Sequence, residues 1–91
     1  MPPLQPSMRP WRVVSCEVVG EHRLHVRFRD GLEGDVQFTP GAFHGVFAHL
    51  VDPARFAEAD VVLGAVTWPG ELDIAPDRIH ADIKQAGVSI L

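Results

Sequence analysis

The stretch HRLHVRFRDGLEGDVQF, residues 22 to 38, predicts two antiparallel strands joined by a tight turn. Its first half alternates polar and apolar side chains, as a strand with one buried face does. A two-residue Asp-Gly turn would pair Phe28 with Glu33 and mix the two faces. A three-residue turn that ends in a left-handed Gly31 pairs Phe28 with Leu32 instead, so the sequence favours this longer turn.

The preceding segment, VVSCEVV at residues 13 to 19, alternates in the same way. An odd-length loop after it places apolar side chains opposite apolar ones and polar side chains opposite the basic residues of the next strand. The side chains predicted to be buried are Val14, Cys16, Val18, Leu24, Val26 and Phe28, and those predicted to be exposed are Arg23, His25 and Arg27. A third strand over residues 32 to 38 completes an antiparallel meander, in which Leu24 pairs with Val36.

Two helix-start signals follow the meander, each a capping side chain before a proline, at Thr39 and at Asp52. The first predicted helix is short or irregular because Gly41 and Gly45 lie in it. Its apolar residues at helical spacing are Phe43, Val46, Phe47 and Leu50. The second predicted helix is one or two turns long and buries Phe56.

A second pair of strands, 60–63 and 65–68, is predicted around Gly64. The last helix begins near Pro76 and ends before Gly87, the residue type that most often follows a helix C-terminus. The final residues, VSIL, form either an apolar cap on the sheet or a short edge strand.

These elements predict one small α+β domain over residues 11–91: a three-stranded antiparallel meander, a short helical crossover, a second β-pair and a C-terminal helix. The first ten residues contain four of the eight prolines and are predicted to form an extended arm. A chain of 91 residues has a thin core, so we expect no deep internal active site.

Composition limits the class of partner. The net charge of −4 repels phosphate backbones and anionic lipid. A single cysteine excludes an internal disulfide and is typical of a reducing compartment. The sequence contains neither a membrane-spanning apolar run nor a secretory signal, so we expect a cytoplasmic protein.

The first candidate site is the segment WPGELDIAPD, residues 68 to 77. Its carboxylates and aromatic ring are Trp68, Glu71, Asp73 and Asp77. Paired carboxylates can do acid–base work or bind a hard cation. The alternative is structural: Asp73 caps the last helix, Asp77 favours the helix dipole and Trp68 buries its ring near Ile79. The sequence favours the structural interpretation because no His, Ser or Lys accompanies the carboxylates.

The second candidate site is a basic stripe on the second strand, formed by Arg23, His25, Arg27 and Arg29. Such a stripe can follow a phosphate backbone. In the predicted register, however, His25 lies opposite Asp35 and Arg27 opposite Glu33. Cross-strand pairing therefore explains the stripe without a nucleic-acid partner.

The remaining reactive residues predict no catalytic, metal or cofactor site. The five histidines lack the spacing of a shared metal site, and His80 is isolated on the last helix. Cys16 lies on the predicted apolar face, where a thiol is a poor nucleophile. No Gly-rich phosphate loop or Ser/His/Asp arrangement is present, so we expect a protein that is not an enzyme.

Four signatures in order resemble a bacterial family, domain-of-unknown-function family 2442, over roughly residues 13–83. They are FRDG at 28–31, the strand at Asp35-Val36, FAHLVDPARF at 47–56 and WPGELDIAPD at 68–77. The resemblance implies a small α+β domain, found alone or joined to a helix-turn-helix and often encoded beside small toxin-like proteins. It implies no accepted activity and no catalytic residues. Only four residues follow Gly87, which leaves no room for an appended helix-turn-helix in this sequence.

The sequence thus predicts a non-enzymatic interaction or regulatory module that binds another protein or itself, as a homodimer through a strand edge. The resemblance points to a small toxin-like protein as the partner. The alternative is a nucleic-acid-associated regulator that uses the basic stripe.

Nucleic-acid binding provides the first test. Because the net charge is −4 and the stripe is predicted to be paired, duplex DNA should bind no more tightly than about 10⁻⁴ M at physiological salt. A fluorescence titration against salt concentration measures this affinity. Tight binding that weakens steeply with salt would support the nucleic-acid alternative instead.

Overall fold

The structure is a computed structural model that describes residues 11–70 and 72–91. Its strands are β1 (Val13–Gly20), β2 (Arg23–Phe28), β3 (Glu33–Gln37), β4 (Asp60–Val62), β5 (Ala65–Trp68), β6 (Leu72–Asp73) and β7 (Val88–Ile90). Its α-helices are α1 (Pro53–Phe56) and α2 (Pro76–Ala86), and two 3-10 helices cover Pro40–Ala42 and Gly45–Val51. The predicted small α+β domain is confirmed. The predicted arm at residues 1–10 and the predicted turn residue Glu71 lie outside the described residues.

The predicted meander register is confirmed at its centre. Cys16 pairs with Val26 and Glu17 with His25. Leu24 pairs with Val36 across the second hairpin. The three-residue turn is also present, because the amide of Phe28 donates to Leu32 at 2.8 Å and Gly31 has a φ of 91°. A residue with a Cβ is strained in that conformation, so glycine sets the register here.

The prediction for the start of β1 is wrong by one residue. A bulge between Val13 and Ser15 places Val13, not Val14, opposite Phe28. Val13 is 2% exposed and Val14 is 49% exposed. The Val13 amide donates to the carbonyl of Gly64 at 2.9 Å, so the hairpin of the second sheet holds Val13 inward. The extra residue of a bulge shifts which side chains face the core.

Several other side chains are less buried or less exposed than predicted. Cys16 and Val18 are only half-buried, because β1 is the edge strand of its sheet. Arg23 and His25 are half-buried rather than exposed, because both contact the side chain of Asp35. Arg27 is exposed, as predicted.

The C-terminal residues form a strand, which decides between the two predicted alternatives. β7 lies parallel to β3, so the first sheet has four strands in the order β1-β2-β3-β7. The connection between these parallel strands contains the whole second sheet and ends in helix α2, which buries Ile79 and Ile83. A Cβ at Gly34 would lie 2.6 Å from Ile83 Cγ2 and 2.7 Å from the Gly87 carbonyl, so glycine allows this close approach. Gly87 ends α2 in the left-handed conformation, as predicted.

The segment between the sheets contains 3-10 helices where the sequence predicted a longer helix. Thr39 does not cap it, because the amide and the hydroxyl of Thr39 both donate to the Leu91 carbonyl, at 2.8 and 2.7 Å. In the tighter helix Leu50 is buried while Val46 is exposed. The predicted cap at Asp52 is confirmed, since its carboxylate accepts from the Ala54 amide at 3.0 Å. Phe56 is fully buried at the end of α1.

The predicted β4–β5 pair is confirmed, and β6 adds a third strand to it. Trp68 at the end of β5 is buried, as predicted. Its indole N–H donates to the Phe56 carbonyl at 2.9 Å. Its ring centroid lies 5.8 Å from that of Phe38 and 5.7 Å from that of Phe56. The ring is therefore in the core where the second sheet meets α1 and the end of β3.

The predicted capping role of Asp73 is wrong. Asp73 belongs to β6, opposite Thr67, and is exposed. The residue before α2 is Ala75, and no side chain caps this helix. Pro76 in the first turn carries no N–H that needs a partner, which reduces the need for a cap. Asp77 does lie in the first turn of α2, where a negative charge is favourable.

The two aspartates provide a matched test of these assignments. Asp52→Ala should lower the free energy of unfolding by about 0.5 to 2 kcal/mol, because it removes a capping carboxylate. Asp73→Ala should change it by less than about 0.5 kcal/mol, as expected for an exposed side chain without a cap. Urea unfolding of both variants measures the difference. Equal losses in the two variants would contradict the assignment.

Candidate functional site

The structure assigns the two candidate surfaces to different sheets. The basic stripe is on β2 in the first sheet, and the segment 68–77 passes from the second sheet into α2. The two surfaces also differ in whether their charged side chains form ion pairs within the domain. Charges that are already paired are less available to a ligand or a partner.

The stripe is paired with carboxylates of β3. Arg23 Nε lies 2.7 Å from Asp35 Oδ2, and Arg27 Nε lies 3.8 Å from Glu33 Oε2. Arg23 also donates to the side-chain carbonyl of Gln37 at 3.3 Å. The fourth member, Arg29, lies beyond the end of β2 in the turn. The predicted cross-strand pairing is confirmed, and these contacts occupy the basic groups on the sheet face.

His25 is held between two carboxylates. Its Nδ1 lies 2.7 Å from Asp35 Oδ1 and its Nε2 lies 2.9 Å from Glu33 Oε1. A neutral imidazole carries one N–H, so both hydrogen bonds form only when the ring is protonated. The hydrogen bonds from Asp35 and then Glu33 raise the pKa of His25 above its usual value of 6.5. The hydrogen bonds from His25 and Arg23 lower the pKa of Asp35 in turn.

A second histidine contact joins elements that are far apart in sequence. His80 Nε2 of α2 lies 2.9 Å from Asp30 Oδ2 in the turn between β2 and β3. The His80 ring packs edge-on against Phe28, with centroids 4.8 Å apart. The hydrogen bond from His80 lowers the pKa of Asp30. His80 is therefore not isolated, and no local sequence signal relates two residues 50 positions apart.

A groove lies between the 3-10 helices and the start of α2. It has a volume of about 360 Å³, at the lower end of the range for small-ligand pockets. Its lining is largely apolar and comes from residues 38–47, residues 73–79 and the last residue, Leu91. The lining residues are Phe38, Gly41, Ala42, His44, Phe47, Asp73, Ile74, Ala75, Arg78, Ile79 and Leu91. We call this feature the apolar groove.

The charged residues of the apolar groove differ from those of the stripe. Asp73 and Arg78 are both exposed, and neither side chain has a hydrogen bond or ion pair with another residue in the described ranges 11–70 and 72–91. The His44 ring contacts its own segment of the chain, because its Nδ1 lies 3.0 Å from the Gly41 carbonyl oxygen. Two candidate site residues of the segment 68–77 are thus separated. Asp73 lines the groove, whereas Trp68 is buried in the core. The sequence did not predict that Arg78, Phe38 and Phe47 lie at one site, because these residues come together only when the chain packs.

The described part of the chain offers little reactive chemistry. It contains no group of three His, Cys, Asp or Glu side chains able to hold a metal ion. Burial, and then the charge of Asp60, raise the pKa of the half-buried Cys16 thiol. A raised pKa keeps the sulfur protonated, and the thiol is a weak nucleophile. None of the helices in the described ranges is long and apolar enough to cross a membrane.

The His25 contacts predict a pH dependence of stability. Because the folded-state pKa is raised, the contribution of His25 is complete below its usual value of 6.5 and is lost as the pH rises through the raised pKa. We expect the urea midpoint of the wild type to fall over this interval, and His25→Gln to remove that fall. The measurement is a series of unfolding curves starting at about pH 5.

His49→Gln is the control for this series, because His49 is an exposed histidine away from the carboxylates of β3. It should keep the wild-type pH profile. The same fall in His25→Gln as in the wild type would assign the pH dependence to other groups.

Comparisons with curated proteins and with solved structures found no match. A family model described as "Protein of unknown function (DUF2442)" matches residues 13–85. The match covers strands β1 to β6 and nearly all of α2, and it includes the signatures at residues 28–31 and 68–77. The chain belongs to the DUF2442 family of proteins of unknown function.

Proposed function

We propose that this domain is a non-enzymatic interaction module that receives an apolar side chain of a protein partner in the apolar groove. The partner is another protein or a second copy of the chain. Among other proteins, a small toxin-like protein is the first candidate, because the family resemblance implies such gene neighbours. A single cysteine with a raised pKa is compatible with the cytoplasm as the site of action.

The observation that carries this proposal is an apolar lining beside two charges that have no partner within residues 11–70 and 72–91. Phe47 and Ile74 are among the groove's apolar residues, while Asp73 and Arg78 add opposite charges to it. An apolar pocket gives affinity by removing a side chain from water, and charges around it orient the partner. The stripe on β2 lacks this property because its charges are satisfied within the sheet.

Two further observations support a binding role over catalysis. The apolar groove contains one histidine and one carboxylate, and the histidine ring contacts a backbone carbonyl of its own segment. Among the described residues, the side chains whose pKa is shifted all lie outside the groove; they are Cys16, His25, Asp30 and Asp35. Acid–base catalysis requires such groups beside a substrate pocket.

Nucleic-acid binding has weaker support than protein binding. The arginines of the stripe that lie on the sheet face are neutralised by Asp35 and Glu33. Each neutralised arginine is unavailable for releasing counterions from a phosphate backbone. The net charge of −4 opposes association in addition.

Filling the groove tests the proposal. Peptides that bind the domain are first selected from a random displayed library, and their affinity is then measured by fluorescence polarisation. Ala42→Leu should weaken peptide binding by about ten- to a hundredfold, because one buried aliphatic side chain contributes about 1.5 to 3 kcal/mol.

Ala81→Leu is the matched control, since it adds the same side chain on the exposed face of α2 and outside the groove lining. It should leave peptide affinity unchanged. Urea unfolding of both variants first establishes that each one is folded. Unchanged affinity in a folded Ala42→Leu would refute the groove as the binding site.

A further inference from the structure

The tip of the β4–β5 hairpin presents an exposed leucine in an unfavourable backbone conformation. Val62 pairs with Ala65, so Leu63 and Gly64 form a two-residue turn. Both have positive φ, 52° for Leu63 and 81° for Gly64. Asparagine, aspartate or glycine suits the first of these positions, and a leucine there is strained. Leu63 is also 88% exposed, so burial within its own chain does not offset the strain.

The hairpin tip is held firmly against the start of β1. The Gly64 carbonyl accepts from the Val13 amide at 2.9 Å. Arg12 covers Gly64 so closely that a Cβ there would lie 2.5 Å from Arg12 Cγ, and Arg12 Nη1 lies 3.5 Å from the Leu63 carbonyl. The leucine is therefore displayed by a fixed scaffold, which lowers the entropic cost of docking it.

The surroundings of Leu63 extend its apolar surface and add a charge. Val62 and Val14 are each about half exposed, and both neighbour the contact between the hairpin and β1. Arg12 supplies a cation beside the tip. A strained, exposed aliphatic residue on a rigid support is the type of feature found at binding sites.

We propose that Leu63 of one copy of this chain docks into the apolar groove of a second copy. The groove is apolar and takes one or two aliphatic side chains, as its volume of about 360 Å³ allows. The charges match as well, since Arg12 lies beside the leucine, and Asp73, which has no partner among the described residues, lies at the groove. This inference rests on the proposed function and identifies the partner.

Self-association through strand edges is the alternative. It would form few backbone hydrogen bonds, because the outer strands are short or bulged. The outer strands β7 and β4 have three residues each, and β6 has two. β1 is longer, but two bulges interrupt it and the hairpin tip bonds to its first residue. Short and bulged edges pair poorly. Each copy has one leucine tip and one groove, so two reciprocal insertions close a two-fold dimer.

Leu63→Asn tests the docking without damage to the fold, because asparagine tolerates the left-handed conformation better than leucine does. In sedimentation velocity over a concentration series, the wild type should form a dimer. Leu63→Asn should raise the dimer dissociation constant by about 30-fold or more, the effect of losing a central anchor. Its urea midpoint should be equal to or higher than that of the wild type. Val19→Asn, at another exposed valine, should dimerise normally.

A charge exchange tests the identity of the partner. Asp73→Arg should weaken the dimer, and the double variant Arg12→Glu/Asp73→Arg should recover part of the loss. A wild type that stays monomeric, or a Leu63→Asn variant that dimerises normally, would overturn the inference. The inference would also be overturned if the double variant formed a dimer no tighter than that of Asp73→Arg.

The peptide measurement separates this inference from the proposed function. If Leu63→Asn binds the selected peptides and the wild type never dimerises, the groove is a binding site for another protein and this inference fails. If no folded form binds peptides in the groove, the proposed function itself fails.

Discussion

The buried ring of Trp68 is the contact on which the arrangement of the other elements depends. Its N–H bond to the Phe56 carbonyl ties β5 to α1, and its ring packs against Phe38 at the end of β3. A fully buried tryptophan removes about 150 to 250 Å² from water, worth about 4 to 6 kcal/mol in a domain whose whole stability is of that order. Phe38 also lines the apolar groove, so the same contact that joins the two sheets sets one wall of the proposed binding site.

The charged surfaces of the domain are of two kinds. On the first sheet, Arg23, His25 and Arg27 are satisfied by carboxylates of the neighbouring strand, and the protonated ring of His25 completes the set. Such a network strengthens the sheet over a limited pH range and presents few unsatisfied groups to a partner. The charges at the apolar groove are unpaired among the described residues, and the groups beside them are apolar. The groove therefore offers the proposed partner more available charges than the sheet does.

The hairpin tip, in contrast, lowers the stability of the fold and leaves an apolar side chain exposed. A leucine with φ of 52° and 88% exposure costs the fold stability in two ways, through backbone strain and through apolar surface left in water. The sheet itself gains nothing from that side chain, because asparagine or glycine would form the same turn. The proposed docking of this leucine into the groove of a second copy would compensate both costs at once. The packing of a single copy does not explain this feature.

Features that depend on neighbouring residues follow from the order of the amino acids alone. The register of β2 and β3 follows from alternation and from the turn at Gly31, and the cap at Asp52 and the end of α2 at Gly87 follow from local hydrogen bonding. The family signatures are also local, and they identified the family correctly.

The tertiary structure decided the features that depend on distant contacts. Val13 rather than Val14 enters the core because its amide bonds to Gly64, 51 positions away in the chain. Asp73 joins β6 instead of capping α2, and the groove forms where three separate segments pack. Periodicity and turn chemistry describe interactions within a few residues, whereas the partner of a distant amide or ring is chosen only when the whole chain has packed.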